Sequence, residues 1–249
     1  MAADVVPGLQ QEIMTKLRAG LSGNKQLTRL CGRLADGTAT YMDAFQFSNI
    51  VGEQTSGVLM QVLKPEILPD RRLYYNIGER TVRPAVELSN GMINEFTDGV
   101  QTLTNRRAGL NIKSIKARQD IDNLNNIIGM ASDYLDFADG MWLLDKPIQT
   151  NMMSLVDRTI RANAYFADAA GVKAVVVRTA EANCCDWCAE LEGSYDYSDN
   201  RQRGMEIYKR HNNCHCVVEY YPGEGSRVQN VHISHDTDGS WRYFRDPGN

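Results

Sequence analysis

The chain has 249 residues, 43% of them hydrophobic and 23% charged, and a formal net charge of -4. That length and apolar content suffice for one or two domains with a sizeable core and no covalent staples. Acids and bases are mixed along the sequence, so the charge excludes the basic face that duplex nucleic acid requires.

The opening "MAADVVPGLQQEIMTK" has early acids and no long apolar run, unlike a secretory signal. No apolar stretch approaches the ~18 residues of a membrane span. The expectation is a soluble chain made in a reducing cytoplasm, with no membrane contact. Helical spacing begins at once: Leu9, Ile13 and Leu17 lie one turn apart, with Met14 and Leu21 widening the stripe. Pro7 suits the first helical turn and "SGN" suits a break. "NKQLTRLCGRLADG" repeats the pattern and stops at Gly37; Cys31, at helical spacing from Leu27 and Leu30, reads as a small buried hydrophobe. A longer helix is predicted from Thr38 to about Leu63, ended by Pro65. "LKPEILPD" reads as a turn. Residues from Asp70 to Thr104 look helical, with Pro84 marking a break or kink. Further on, Ile121, Leu124 and Ile128 share one helical face. These segments are polar for their apolar count, which suits helices lying against partners or forming an elongated bundle more than one compact core.

Near residue 150 the character changes. "TNMMSLVDRTIRANAYFADAAG" is an amphipathic helix offering Leu155, Ile160 and Tyr165 to a core and closed by Gly171. The valine-rich "VKAVVVRTA" follows as the strongest strand, and "CVVEYY" predicts a second. Between them lies a polar loop, in which Arg201, Arg203, Lys209 and Arg210 read as a solvated basic run. The tail "NVHISHDTDGSWRYF" alternates weakly, suggesting a hairpin around Asp238-Gly239, with His232 and His235 as exposed hairpin histidines. The fold class is therefore α+β: an extended, mainly helical region over residues 1–150, then a small cysteine-clustered α+β module over residues 151–249.

Five of the six cysteines fall in two short segments, "EANCCDWCAELEG" and "KRHNNCHCVVEYY". Cys185-x-x-Cys188 lets two sulfurs reach one metal from a tight turn, and Cys214-x-Cys216 points two side chains the same way at the start of a strand. His211, three residues before Cys214, offers an imidazole. Cys185, Cys188, His211, Cys214 and Cys216 thus supply five candidates for the four places of a tetrahedral zinc site. A disulfide across the two segments is the alternative, in a particle released to air. A redox C-x-x-C fits less well, because Asp186 opposes a lowered thiol pKa. Zinc-dependent deamination requires an H-x-E element, and no histidine has Glu two places on. Cys184 and His215 are expected to point away from the cluster, and Trp187 to shield it.

The order helix, "GVKAVVVRTAEANCCDWCAELEGSYDY", loop, "YKRHNNCHCVVEYYPGEGSRVQNVH" resembles the MuF-type minor head proteins of tailed bacteriophages. The C-x-x-C-x-x-L-x-G element of that family is matched by Cys185, Cys188, Leu191 and Gly193, and its H-x-x-C-x-C element by His211, Cys214 and Cys216. The match covers about residues 150 to 235. Asn212 and His215 stand where the usual pattern has Pro and Arg. The resemblance implies a non-enzymatic virion protein of head morphogenesis, associated with portal and capsid proteins and in contact with packaged DNA. It would reside in the head interior near the portal, after assembly in the host cytoplasm, with homo-oligomers admitted. A metal-dependent nuclease of the His-metal finger type is the alternative, resting on "RHNN" and "NVHISHD"; a zinc-ribbon module for nucleic acid is a third, without the basic aromatic face it requires.

Overall fold

The computed structural model describes residues 4–181, 184–197 and 206–223; His232, His235 and the hairpin expected around Asp238-Gly239 lie outside them. Helix α1, Val6–Ser22, carries Pro7 in its first turn and buries Val6, Leu9, Ile13, Leu17 and Leu21 along one stripe. Helix α2, Lys25–Ala35, is capped by Asn24, whose side-chain oxygen accepts from the N–H groups of Gln26 at 2.9 Å and Leu27 at 3.1 Å. It buries Leu27 and Leu30 but leaves Cys31 exposed. The expected burial of Cys31 is thus corrected. The buried stripe of this short helix is narrow and centred between the two leucines, and Cys31 falls beyond its edge.

Helix α3, Tyr41–Val62, starts where the Asp43 carboxylate accepts from the Thr40 N–H at 2.8 Å and from Arg33 at 2.9 Å. Two short 3-10 turns at Pro65–Ile67 and Pro69–Arg71 realise the proline-rich turn. Helix α4, Tyr75–Arg107, runs through Pro84 without a break. The carbonyl that Pro84 leaves without a donor belongs to Arg80, which is exposed, so solvent can supply the missing bond. Helix α5, Ile121–Asp133, is capped by Asp120 and buries Leu124, Ile127 and Ile128. Ile121, expected on that face, is exposed in the first turn. Helix α6, Phe137–Gly140, and a 3-10 turn at Met141–Leu144 lead into helix α7, Lys146–Ala169.

The change of character near residue 150 falls inside α7. This helix packs on α3 and α4 and delivers the chain, through Gly171 in the left-handed region (φ 77°), to strand β1, Ala174–Thr179. Helix α8, Asp186–Glu190, separates β1 from strand β2, Gly193–Asp196; strand β3, Val217–Pro222, completes an antiparallel sheet in the order β2-β1-β3. Strand β2 was not foreseen: "GSYD" is short and half-exposed, with no apolar alternation to mark it. Val176 faces Tyr220 and Arg178 faces Val218 across β1 and β3. All four are buried, and β3 lies against α3 and α7.

One apolar cluster runs from Val6 of α1 to Tyr220 of β3. The polar helices expected to lie against partners therefore close on one another, and the reason is visible in their interior. Thr55, Thr81 and Thr97 are buried and turn their hydroxyls onto the carbonyls of Val51, Ile77 and Ile93, each at 2.7 Å. Thr55 also meets Ser89 across the α3–α4 seam at 2.7 Å. Asn163 of α7 pins the irregular segment before α5, donating to the Ile115 carbonyl at 2.8 Å and accepting from its N–H at 2.9 Å. Once hydrogen-bonded, such groups cost little to bury.

Candidate metal centre

The two cysteine segments meet beside the end of β1. Cys185 caps α8 in extended conformation (φ -73°, ψ 162°), and Cys188 sits one turn on, 1% exposed. The other segment turns at His211–Cys214, where the Cys214 N–H donates to the His211 carbonyl at 3.1 Å. Asn213 takes a left-handed conformation there (φ 64°), which asparagine tolerates better than most residues. The turn sends Cys214 and Cys216 inward and leaves His215 exposed between them, as alternation predicts.

All five predicted ligands are brought together, as two triads sharing Cys188: Cys185, Cys188 and His211, and Cys188, Cys214 and Cys216, with ligand atoms inside each triad within 4.8 Å of one another. The His211 Nε2 is 3.3 Å from the Cys185 sulfur and 3.1 Å from that of Cys188, and the sulfurs of Cys188 and Cys214 are 3.7 Å apart. Tetrahedral zinc with its usual bond lengths would set sulfur–sulfur edges at about 3.8 Å and sulfur–nitrogen edges at about 3.6 Å. His211 Nδ1 lies 2.7 Å from the Asn212 carbonyl. A carbonyl only accepts, so Nδ1 carries the proton and Nε2 presents its lone pair to the sulfurs, the tautomer that ligates a metal. This cluster can hold a metal ion. All six cysteines are free thiols in the structure.

Cys184 departs from expectation. It packs against the buried sulfurs with Ala180 and Trp187 instead of pointing away. Trp187 does shield the cluster, lying edge-on to the His211 ring with centres 5.7 Å apart.

Sequence reasoning missed the cations around the sulfurs. Arg178 of β1 is 1% exposed; its Nη1 donates to the carbonyls of Ile207 at 2.6 Å and Lys209 at 3.0 Å. Its Nη2 lies 3.6 Å from the Cys188 sulfur and 3.7 Å from that of Cys214, and the guanidinium sits over the Trp187 ring at 5.5 Å. Arg210 corrects the solvated-loop reading: its side chain is 1% exposed, with an equally buried Asp157 of α7 as partner. Nε and Nη2 of Arg210 each donate to that carboxylate, Nη1 reaches the Cys214 carbonyl at 3.4 Å, and the plane covers Phe45 at 4.5 Å. Arg201 and Arg203 lie outside the described residues. Both arginines had a signal in the sequence. Period-two alternation puts Arg178 on the inward face with Ala174 and Val176, and Asp157 falls on the buried stripe of α7 between Met153 and Ile160.

Electrostatics divide the thiols. Burial pushes the Cys188 thiol far above its ordinary value, and hydrogen bonding to Cys216 adds to the effect. Burial acts on Cys216 in the same sense, but the bond from Cys188 and the charge of Arg178 outweigh it and bring that thiol below its ordinary value. A thiol that holds its proton as Cys188 does is the reverse of a redox nucleophile; a metal would replace that proton. Burial also raises the Asp157 carboxyl against the pull of Arg210.

No family model matches the chain, and no match appears among curated proteins or solved structures. Among the described residues no helix is long and apolar enough to cross a membrane.

Proposed function

We propose that this protein is a structural minor head protein of a tailed bacteriophage, of the MuF type, without a catalytic site and with zinc as the ion at the sulfur cluster. The observation that carries the reading is the meeting of the C-x-x-C and H-x-x-C-x-C elements at one point, seated on a helical bundle. A thiolate–imidazole set of up to five ligands, with Cys188, Cys214 and Cys216 buried, suits a structural ion more than a reactive one. His211, on which the nuclease alternative leaned, turns its Nε2 to two sulfurs and is not presented to a substrate.

In this reading the bundle is the part that meets portal and capsid proteins. Exposed Ile67 and Leu135 stand at the end where Arg71 bonds Asp136 at 2.9 Å, and exposed Trp142 follows shortly in the chain; such side chains offer apolar contact to a partner. With a net charge of -4, contact with packaged DNA would be local and not a general clamp. The protein would gather with the portal in the host cytoplasm and remain in the head interior.

The test is to purify assembled heads and portal complexes from producing cells and search them for this chain by mass spectrometry. Presence at a fixed ratio to portal supports the reading, and absence from both overturns it. Elemental analysis of the purified chain should return one zinc per molecule.

A further inference from the structure

Charge counting around the sulfurs goes further than the presence of an ion. Two buried guanidinium groups, Arg178 and Arg210, border the cluster, but only Arg210 is bonded to a carboxylate, that of Asp157. The partners of Arg178 among the described residues are two carbonyls, two sulfurs and the Trp187 ring. The shell therefore carries one buried positive charge in excess, and an uncompensated buried charge is strongly unfavourable. A divalent ion held by three thiolates and one neutral imidazole carries one negative charge and cancels it. Two thiolates would leave the excess in place, and four would overshoot.

We infer that the centre is a three-thiolate, one-imidazole site formed by Cys185, Cys188, Cys214 and His211, with Arg178 as its counter-charge and Cys216 outside the ligand set. The sulfurs of Cys214 and Cys216 both lie within 4.8 Å of that of Cys188; Cys214 is chosen because both buried guanidinium groups reach its sulfur. Cys214 lies one tetrahedral edge from Cys188, at 3.7 Å, and shares the Arg178 Nη2 with it. Arg210 adds a second cation, its Nη1 being 3.9 Å from the Cys214 sulfur. Uniting the two triads requires them to close about Cys188, the ligand they share. Arg178 is thus a positioning residue: it selects a thiolate-rich, negatively charged centre and fixes the Ile207–Lys209 segment that carries His211.

This inference rests on the metal reading proposed above and fails separately from it. Cobalt(II) is titrated into the full chain, and the thiolate-to-cobalt charge-transfer band is measured for the wild type, Cys214→Ser and Cys216→Ser. Zinc affinity of the wild type, Arg178→Met and Arg178→Lys is measured by competition with a chelator. The expected band corresponds to three thiolates, falls by about a third in Cys214→Ser and is unchanged in Cys216→Ser. Arg178→Met should bind zinc about 10–100-fold more weakly, as loss of an outer-shell partner does, and Arg178→Lys should recover most of that loss because it keeps the charge. A two- or four-thiolate band, an equal loss in Cys216→Ser, or wild-type affinity in Arg178→Met overturns the inference while leaving the metal reading intact. If Arg178→Met does not fold, the band intensities and Arg178→Lys decide. A wild type that takes up no stoichiometric metal overturns both.

Discussion

The helical bundle and the sulfur-lined corner of the sheet are stabilised by opposite means. In the bundle, Ile13, Leu17, Leu59, Ile93 and Ile128 are fully buried, and buried hydroxyls such as those of Thr55, Thr81 and Thr97 bond the carbonyl four residues back. Stability there is spread over many small contacts. Around Cys188 three short strands cover little area, and order depends on a few strong, exacting groups: a buried ion pair, a buried guanidinium and a set of sulfurs. Loss of one methylene is tolerable in the first region. Loss of one charge is not tolerable in the second.

The largest expected effect lies where the two regions join. Asp157 belongs to α7, and Arg210 to the segment that carries His211. Asp157→Ala leaves the guanidinium buried without a partner, and breaking such a pair from one side costs about 3–5 kcal/mol. Urea unfolding should show this as a lowered midpoint. Replacing both partners, Asp157→Leu with Arg210→Met, should recover most of the loss, since well-packed apolar pairs often match or exceed the ion pair they replace. A double variant as unstable as the single one would mean that the Arg210 bond to the Cys214 carbonyl, and not charge balance, sets the cost.

Within the bundle alone, Leu59→Ala removes a fully buried side chain of α3 and should cost about 2–5 kcal/mol, the upper part of the range applying if the α3–α7 seam cannot collapse into the cavity. Zinc stoichiometry of this variant should remain that of the wild type. A variant that folds but loses its metal would show that the two regions are not separable in the way described.

Metal removal comes next. Zinc present at a hundredfold its dissociation constant stabilises the folded chain by about 2.7 kcal/mol, and a chelator should remove that increment. The change should be read at Trp187, which packs on the cluster, while far-ultraviolet circular dichroism stays helical. Acid should act as the chelator does. Ligands must shed protons to bind, and burial already favours the protonated Cys188, so affinity falls as pH falls and rises as pH rises. Cys188→Ser should imitate the metal-free state at every pH. A thermal midpoint indifferent to zinc, chelator and pH would count against a structural ion.

Helix positions were legible in the sequence because the apolar spacing of α1, α3 and α7 is strong and its ends are marked by Pro7, Pro65 and Gly171. The convergence of the five candidate ligands was legible from spacing alone. The single core was not, because threonine, serine and asparagine count as surface in any pattern of apolar residues, yet Thr55, Ser89 and Asn163 are interior once bonded. The buried arginines were hidden for a related reason. A lone Arg in "AVVVRT" reads as solvated unless its inward register is considered, and one in "KRHNN" unless it is paired with Asp157, 53 residues away.

The smallest expected effect separates a cysteine that merely occupies a helix from those that hold the cluster. Cys31 is exposed on α2 and makes no part of the buried stripe, so Cys31→Ser should shift stability by no more than about 0.5 kcal/mol. It should also leave zinc stoichiometry unchanged. In the zinc-loaded chain Cys31 should be the first thiol to react with a maleimide, because the cluster sulfurs are buried or, for Cys185, engaged. Chelation should then release the exposed Cys185 before Cys188, Cys214 and Cys216, whose exposures are 1%, 3% and 1%. Should Cys185 label as fast as Cys31 with zinc present, it is not a ligand, and the imidazole triad does not bind the ion.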